Sequence, residues 1–170
     1  MLAFMTAPVN SPESQIRIRR ANDDDVPPLT RLINTAFVVE QVVFEGDRVD
    51  DLGVRVYMGS GTFLVAENSG TLQGCVYIET RDDRSYLGLL SVQPARQGTG
   101  LGRVLVVAAE DFARGCGSRA MDLRVISARG EQLLPFYQRL GYQVIREEPF
   151  PANLATKVPS HYILMSKPLL

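Results

Sequence analysis

Glycines at positions 98, 100 and 102 follow a β-type segment and open a segment with helical period. Glycine tolerates a positive φ and lets another group approach the backbone closely. The N–H groups at a helix start have no partner within the helix and, together with the helix dipole, attract anions such as phosphate. The segment from Leu89 to Gly102 therefore indicates either a phosphate-binding loop or, without a ligand, a tight turn between a strand and a helix.

Three kinds of phosphate-binding loop compete for these glycines. A P-loop requires a Gly-Lys pair, which the chain lacks. A dinucleotide-binding fingerprint requires a glycine where Arg103 stands and an opening βαβ unit, whereas this motif lies mid-chain after a predicted hairpin. Two interpretations therefore remain: the pyrophosphate-binding loop of an acyl-CoA enzyme, or a tight turn that binds no ligand.

The segment Gln97–Gly102 (QGTGLG) matches the Gln/Arg-x-x-Gly-x-Gly/Ala motif of the GNAT superfamily of N-acetyltransferases. The preceding Leu90–Pro94 and the later Pro135–Tyr142 (PFYQRLGY) also resemble that superfamily, and Lys157–Pro168 resembles a bacterial subgroup of it. The resemblance extends in element order over about residues 16–168. It implies an α/β, GNAT-like acyl-CoA N-acyltransferase fold with a mixed, mostly antiparallel central sheet flanked by helices.

The resemblance implies acetyl-CoA as co-substrate. It assigns the CoA pyrophosphate to the N–H groups of the glycine-rich loop, with one added arginine contact, and the pantetheine arm to the exposed backbone of the strand before the loop. The residues so assigned are Leu90, Ser91, Val92, Gln97, Gly98, Thr99, Gly100, Leu101, Gly102 and Arg103. A backbone N–H near Leu90 to Val92 would polarise the thioester carbonyl. Many members carry an asparagine where this chain has Ser127–Glu131, so no pantetheine contact is carried over to that segment.

The implied reaction is direct attack of an amine on the thioester, which requires a proton donor near the departing sulfur and a route for the amine proton. Tyr137 matches the family tyrosine that often donates this proton, and an ordinary tyrosine pKa of about 10 keeps it protonated at neutral pH. Core packing beside Phe136 explains Tyr137 equally from the residues alone. The general base stays open between Glu79, His161 and the acceptor-side glutamates, each of which also has an ordinary structural explanation.

The segment after the first predicted helix forms the acceptor pocket in this family, and Glu40 and Glu45 are the substrate-binding candidates there. With Asp47, Asp50 and Asp51 they place five carboxylates within twelve residues. Such a rim suits a cationic amine, although a solvated loop explains it as well. The leading hypothesis is an N-acetyltransferase that acts on a primary amine of a metabolite, antibiotic-like molecule or peptide. The alternative is a non-catalytic acyl-CoA-binding or regulatory module of the same fold.

The elements that must position these residues follow the predicted order β-α-α-β-β-β-α-β-α-β-β. A second helix is predicted over 49–58, with Leu52 and Val56 on its apolar side. The helix after the glycines is predicted to bury one face, made of Leu101, Val104, Leu105, Ala108 and Phe112. Asn68-Ser69-Gly70 predicts a hairpin turn. The last two strands are predicted over 142–145 and 161–165.

The composition supports one domain over 16–170 behind a flexible lead-in over 1–15. A net charge of -1 gives nucleic-acid binding no support, and no apolar run approaches the roughly 20 residues of a membrane helix. One histidine and two separated cysteines predict no metal site. These features favour a cytoplasmic protein, and a homodimer is expected only because family members often pair.

Overall fold

The computed structural model describes residues 15–170, so the predicted lead-in lies outside the described residues except for Gln15. The strands are β1 (Arg17–Arg20), β2 (Thr62–Asn68), β3 (Thr71–Arg81), β4 (Arg84–Val92), β5 (Ala120–Ile126), β6 (Gln143–Pro149) and β7 (His161–Pro168). The helices are α1 (Val26–Phe37), α2 (Asp51–Ser60), α3 (Leu101–Gly115) and α4 (Gly130–Arg139). The predicted order of strands and long helices is therefore the observed one.

The strands form one seven-stranded sheet in the order β1-β2-β3-β4-β5-β7-β6. Every neighbouring pair is antiparallel except β4 and β5, which run parallel. One core cluster lies between the sheet and α1 and α2, and a second lies between the opposite face and α3 and α4. The predicted α/β class, with a mostly antiparallel sheet between helices, is confirmed.

The β2–β3 hairpin closes as its turn residues predict. Ser69 and Gly70 have φ of 50° and 78°, the pair of positive angles that a tight two-residue hairpin turn requires. The turn pairs Asn68 with Thr71 and sets the register of both strands. This hairpin brings β3 beside β4, the strand that leads to the glycine-rich loop.

Two predicted helix faces are wrong in detail. The second helix begins at Asp51, because the Asp50 side chain accepts a hydrogen bond from the Gly53 N–H at 2.7 Å and caps the helix there. This start turns Val54 into the core and leaves Leu52 and Val56 exposed. In α3, Val104 was predicted on the buried face but is 49% exposed, because Val106, Ala109 and Ala113 form the inner side of that helix.

The last two strands are longer than predicted. β6 continues past position 145 to Pro149, and β7 continues to Pro168, because the two strands pair with each other over most of their length. A bulge between Val144 and Arg146 interrupts this pairing. The extension places Glu148 on the sheet, where the sequence had predicted no strand.

Helix α3 is fastened to β7 by a buried carboxylate. Glu110, which is 3% exposed, accepts hydrogen bonds from Lys167 Nζ at 2.8 and 3.0 Å and from the Tyr142 hydroxyl at 3.0 Å. Because both partners satisfy the carboxylate, a charge is held inside the core without an open hydrogen-bonding site. The clamp holds α3 against the sheet, and with it the loop that precedes the helix.

Candidate active site

Strands β4 and β5 separate soon after they begin. Their pairing is confined to Arg84, Ser85 and Tyr86 on β4 against residues 120–122 on β5. Beyond Tyr86 the edges of both strands border an open cavity of about 1400 Å³. The family resemblance implied an exposed backbone on the strand before the glycine-rich loop, and this opening exposes the edge of β4.

A bulge in β4 lies at the centre of this opening. The register passes from Cys75 opposite Ser91 to Tyr77 opposite Gly88, and Leu89 has a φ of +48°. The Leu89 carbonyl accepts from the Ser91 hydroxyl at 2.9 Å and from the Cys75 thiol at 3.7 Å. Since a trans peptide sets its N–H opposite its carbonyl, the N–H of Leu90 points away from those two side chains.

The glycine-rich loop follows β4 at one end of the cavity. Gly98 and Gly100 have φ of +76° and +88°, and a Cβ added at either would meet nothing within 4 Å. Backbone conformation, rather than lack of space, therefore favours glycine at both positions. The first turn of α3 closes where the Val104 N–H donates to the Gly100 carbonyl at 3.1 Å, so the preceding N–H groups have no carbonyl one turn back.

The predicted CoA-binding residues divide into two sets by where their atoms lie. Those that line the cavity are Leu90, Val92, Gln97, Gly98, Gly100, Gly102 and Arg103. Thr99, Leu101 and Ser91 do not line it: the Thr99 hydroxyl donates to the Arg96 carbonyl, and Leu101 and Ser91 are buried. Gly102 lies close to Phe136, whose ring a Cβ there would touch at 3.5 Å.

Tyr137 extends from α4 into the same cavity and is 7% exposed. Its ring packs edge-on against Phe136 and Tyr142, with centroids at 4.9 and 5.8 Å. Burial, and then the nearby Tyr86 and Glu40, raises the pKa of Tyr137 above its ordinary value. The phenol is therefore protonated at neutral pH, and it combines a packed ring with a polar end at the cavity.

Glu40 lies on the wall of the cavity, in a 3₁₀ turn over Val38–Val42 that follows α1. Only 7% of this residue is exposed. Burial raises the pKa of the Glu40 carboxyl, and the positive charges of Arg48 and Arg129 act against that rise. In the part of the chain that the structure describes, no group donates a hydrogen bond to this carboxylate. The carboxylate is therefore available to a ligand.

A group of side chains that the sequence did not single out lies across the sheet on the cavity wall. Glu148 accepts from Arg124 Nε at 2.9 Å and from Arg146 Nη2 at 2.7 Å, and these arginines, Arg124 first, lower the pKa of the carboxyl. The Arg124 guanidinium also lies 5.8 and 5.7 Å from the ring centres of Tyr86 and Tyr162. The alternation of Arg146 and Glu148 would have indicated that both side chains lie on one face of a strand. It was missed because the strand predicted over 142–145 ended before them.

The structure does not bring two of the base candidates to the cavity wall. Glu79 accepts from Arg81 Nε at 2.7 Å and from the Tyr77 hydroxyl at 3.1 Å, and chiefly the arginine lowers the pKa of Glu79. His161 lies at the start of β7, with its Nε2 3.4 Å from a carboxylate oxygen of Glu147. Glu45, by contrast, lines the cavity as an exposed rim residue.

One end of the cavity is covered by two segments that contact each other. Lys157 donates its backbone N–H to the Val43 carbonyl at 2.7 Å and its ammonium to the Gln41 carbonyl at 2.9 Å. Phe44 and Phe150 pack together with ring centres 5.6 Å apart. The segment after α1, which the resemblance implied for the acceptor pocket, and the loop between β6 and β7 therefore cover this end of the cavity together.

No group of three or more His, Cys, Asp or Glu side chains within residues 15–170 is arranged to hold a metal ion. No helix in the same range has the length and apolar character that crossing a bilayer requires.

A mostly antiparallel sheet that opens between one parallel pair, with an anion-attracting helix start at the opening, is the architecture of an acyl-CoA N-acyltransferase. Comparison with known proteins agrees. Residues 34–160 match the family model described as an acetyltransferase (GNAT) domain, and the chain belongs to this family. The resemblance drawn from the glycine-rich motif is thereby confirmed, together with the enzyme class, N-acetyltransferase, and its co-substrate, acetyl-CoA.

Individual relatives agree with this assignment. The chain is 30% identical over 145 residues to an L-methionine sulfoximine/L-methionine sulfone acetyltransferase of Salmonella typhimurium, covering 78% of this chain and 82% of that protein. It is 29% identical over 137 residues to mycothiol acetyltransferase of Propionibacterium freudenreichii, covering 76% of this chain but only 44% of that protein. The fold matches yncA of Salmonella typhimurium, solved with acetyl-CoA, with a TM-score of 0.73 at 23% identity over 91% of this chain and 94% of that one.

Proposed function

We propose that this protein transfers the acetyl group of acetyl-CoA to a primary amine of a small molecule, by direct attack of the amine on the thioester. The observation that carries the proposal is the shared cavity. The protonated phenol of Tyr137, the carboxylate of Glu40 and the glycine-rich loop all border the opening between β4 and β5, and no described residue donates a hydrogen bond to that carboxylate. An acyl donor held at the loop would extend along β4 toward both side chains.

The loop and β4 would hold the donor through backbone groups. The CoA pyrophosphate accepts from N–H groups at the start of α3, where the helix dipole adds to the attraction. Arg103, which lines the cavity beside the loop, supplies a further positive charge. The pantetheine arm pairs with the edge of β4 that β5 leaves open, and the Leu90 N–H at the bulge polarises the thioester carbonyl.

Bond making and proton movement then fall to two side chains. The amine nitrogen bonds to the carbonyl carbon, the carbon–sulfur bond breaks, and CoA leaves as a thiolate. The hydroxyl of Tyr137 donates a hydrogen bond to the departing sulfur. Glu40 accepts the proton that the attacking nitrogen must lose as the amide forms. A carboxyl whose pKa is raised by burial is better matched to that task than an exposed glutamate.

Steady-state release of CoA, followed over a panel of primary amines with acetyl-CoA, tests this proposal. Tyr137→Phe retains the buried ring and removes only the hydroxyl, so we expect kcat to fall about 100-fold or more while acetyl-CoA binding is unchanged. The matched control is Tyr57→Phe, because Tyr57 also lines the cavity but lies on α2. An unchanged kcat in Tyr137→Phe would refute the donor role. Acetyl-CoA binding without turnover of any amine would favour a non-catalytic acyl-CoA module instead.

A further inference from the structure

Four arginines that line the cavity have no carboxylate partner in the described part of the chain: Arg48, Arg96, Arg103 and Arg129. Arg96 and Arg103 flank the glycine-rich loop, which leaves Arg48 and Arg129 to be explained. The Arg48 guanidinium lies over the ring of Phe37, 5.7 Å from its centre, and Arg129 Nε donates only to the amide oxygen of Gln132 at 3.2 Å. By contrast, Arg124 on the same wall is bonded to Glu148. Charged groups without partners on a cavity wall are groups that a ligand can satisfy.

The place of each arginine in the fold suggests which ligand it meets. Arg129 follows β5, and because β4 and β5 are parallel, it lies at the same edge of the sheet as the glycine-rich loop after β4. Arg48 lies in the segment after α1, which covers the other side of the cavity and carries Glu40. Arg129 thus lies toward the donor loop, although its charge also acts on Glu40, whereas Arg48 and Glu40 belong to neighbouring parts of one segment on the acceptor side.

Resting on the proposed function, we propose that the acceptor is of the α-amino acid type. Its carboxylate meets Arg48, and its amino group meets Glu40 and attacks as the free amine, after its ammonium form has lost one proton to solvent. Both protein groups line one cavity, one negative and largely buried, the other positive and stacked on Phe37. A simple amine would satisfy Glu40 and leave Arg48 without an anion. The charge of Arg48 acts on the Glu40 carboxyl, and an acceptor that carries an amine and a carboxylate would meet both groups.

The test compares standard L-amino acids with their amides, which keep the amine but lack the negative charge. Initial rates of CoA release are expressed as kcat/KM per free amine, because the pKa of the amine differs within each pair. We expect the wild-type protein to favour the amino acid over its amide by about 10- to 100-fold, the range for a charge-assisted hydrogen bond. In Arg48→Gln this preference should fall to near one.

Three variants separate the outcomes. Glu40→Gln should lower kcat/KM for amino acid and amide alike, because both present an amine. Arg55→Gln, on the exposed side of α2 outside the cavity, should retain the wild-type preference. Equal rates for amide and amino acid in the wild type, or a preference lost in Arg129→Gln and kept in Arg48→Gln, would overturn the inference while leaving the proposed function intact. Absence of turnover with every amine, in a protein that binds acetyl-CoA, would contradict both.

Discussion

Replacement of Gly100 by alanine tests whether the loop before α3 holds the donor. Gly100 is the N-cap of the helix with a φ of +88°, and a Cβ there meets nothing within 4 Å. The substitution therefore introduces backbone strain without a steric clash, at a cost of about 1–2 kcal/mol. If the loop N–H groups bind the pyrophosphate, movement of Gly100 away from this φ also moves those donors.

Gly70 provides a matched control for the strain. It has a φ of +78°, and a Cβ there also meets nothing within 4 Å, but it lies in the β2–β3 turn and does not line the cavity. Gly70→Ala and Gly100→Ala should therefore lose similar stability, about 2–8 °C in Tm for a protein of this size. Any difference between them in ligand response then reports on the loop rather than on strain.

The assay is the thermal midpoint of each variant with and without acetyl-CoA at about 100 times the wild-type Kd. This concentration stabilises the wild type by about 2.7 kcal/mol. We expect Gly70→Ala to keep that gain. If Gly100→Ala raises Kd tenfold, its gain falls to about 1.4 kcal/mol. A full gain in both variants would refute the assignment of the pyrophosphate to this loop, and an equal loss in both would point to a general effect of destabilisation.

Two further predictions concern buried carboxylates. Because burial raises the pKa of Glu40, the folded state disfavours its charged form, and stability falls as pH rises above the ordinary glutamate pKa of about 4.3. Glu40→Gln should therefore raise Tm at pH 7, and the gain should disappear below pH 4 in a series of melts; a gain independent of pH would contradict this. Glu110→Gln keeps one amide oxygen as an acceptor but removes the negative charge that faces Lys167, so it should destabilise by about 1–3 kcal/mol in calorimetry, with the acetyl-CoA response retained. Unchanged stability would show that the charge of Glu110 does not hold α3 to β7.

Local signals predicted the fold and the loop well. The Asn68-Ser69-Gly70 turn and the alternating glycines require particular φ values from their own residues, and the structure has positive φ at 69, 70, 98 and 100. The buried faces of α2 and α3 were predicted less well. They are set by the cap that Asp50 forms and by the packing of Val106 against the sheet, and neither can be deduced from the spacing of hydrophobic residues. Backbone requirements can be recognised in a short segment, whereas orientation against the sheet cannot.

The acid–base candidates show the same limit. The sequence alone does not distinguish Glu79 from Glu40. In the structure, Glu79 accepts a hydrogen bond from Arg81 outside the cavity, whereas Glu40 is buried on the cavity wall and accepts no hydrogen bond from the described residues. Arg124 and Glu148 were missed because strands distant in sequence bring them together. What separates a solvated carboxylate from one available to a ligand is the set of neighbours, and only the folded chain supplies it.

The opening of the sheet follows from the bulge in β4. An extra residue in one strand breaks the pairing register, bends the strand and increases its twist, and here the extra residue stands beyond the short parallel contact with β5. Leu89 adopts a left-handed φ that costs a non-glycine residue about 1–2 kcal/mol, even though its side chain is buried in the core. The same distortion exposes one edge of β4 and aims the Leu90 N–H away from β3. The local strain and the cavity therefore have one structural cause, and the proposed catalytic geometry depends on keeping Leu89 in that conformation.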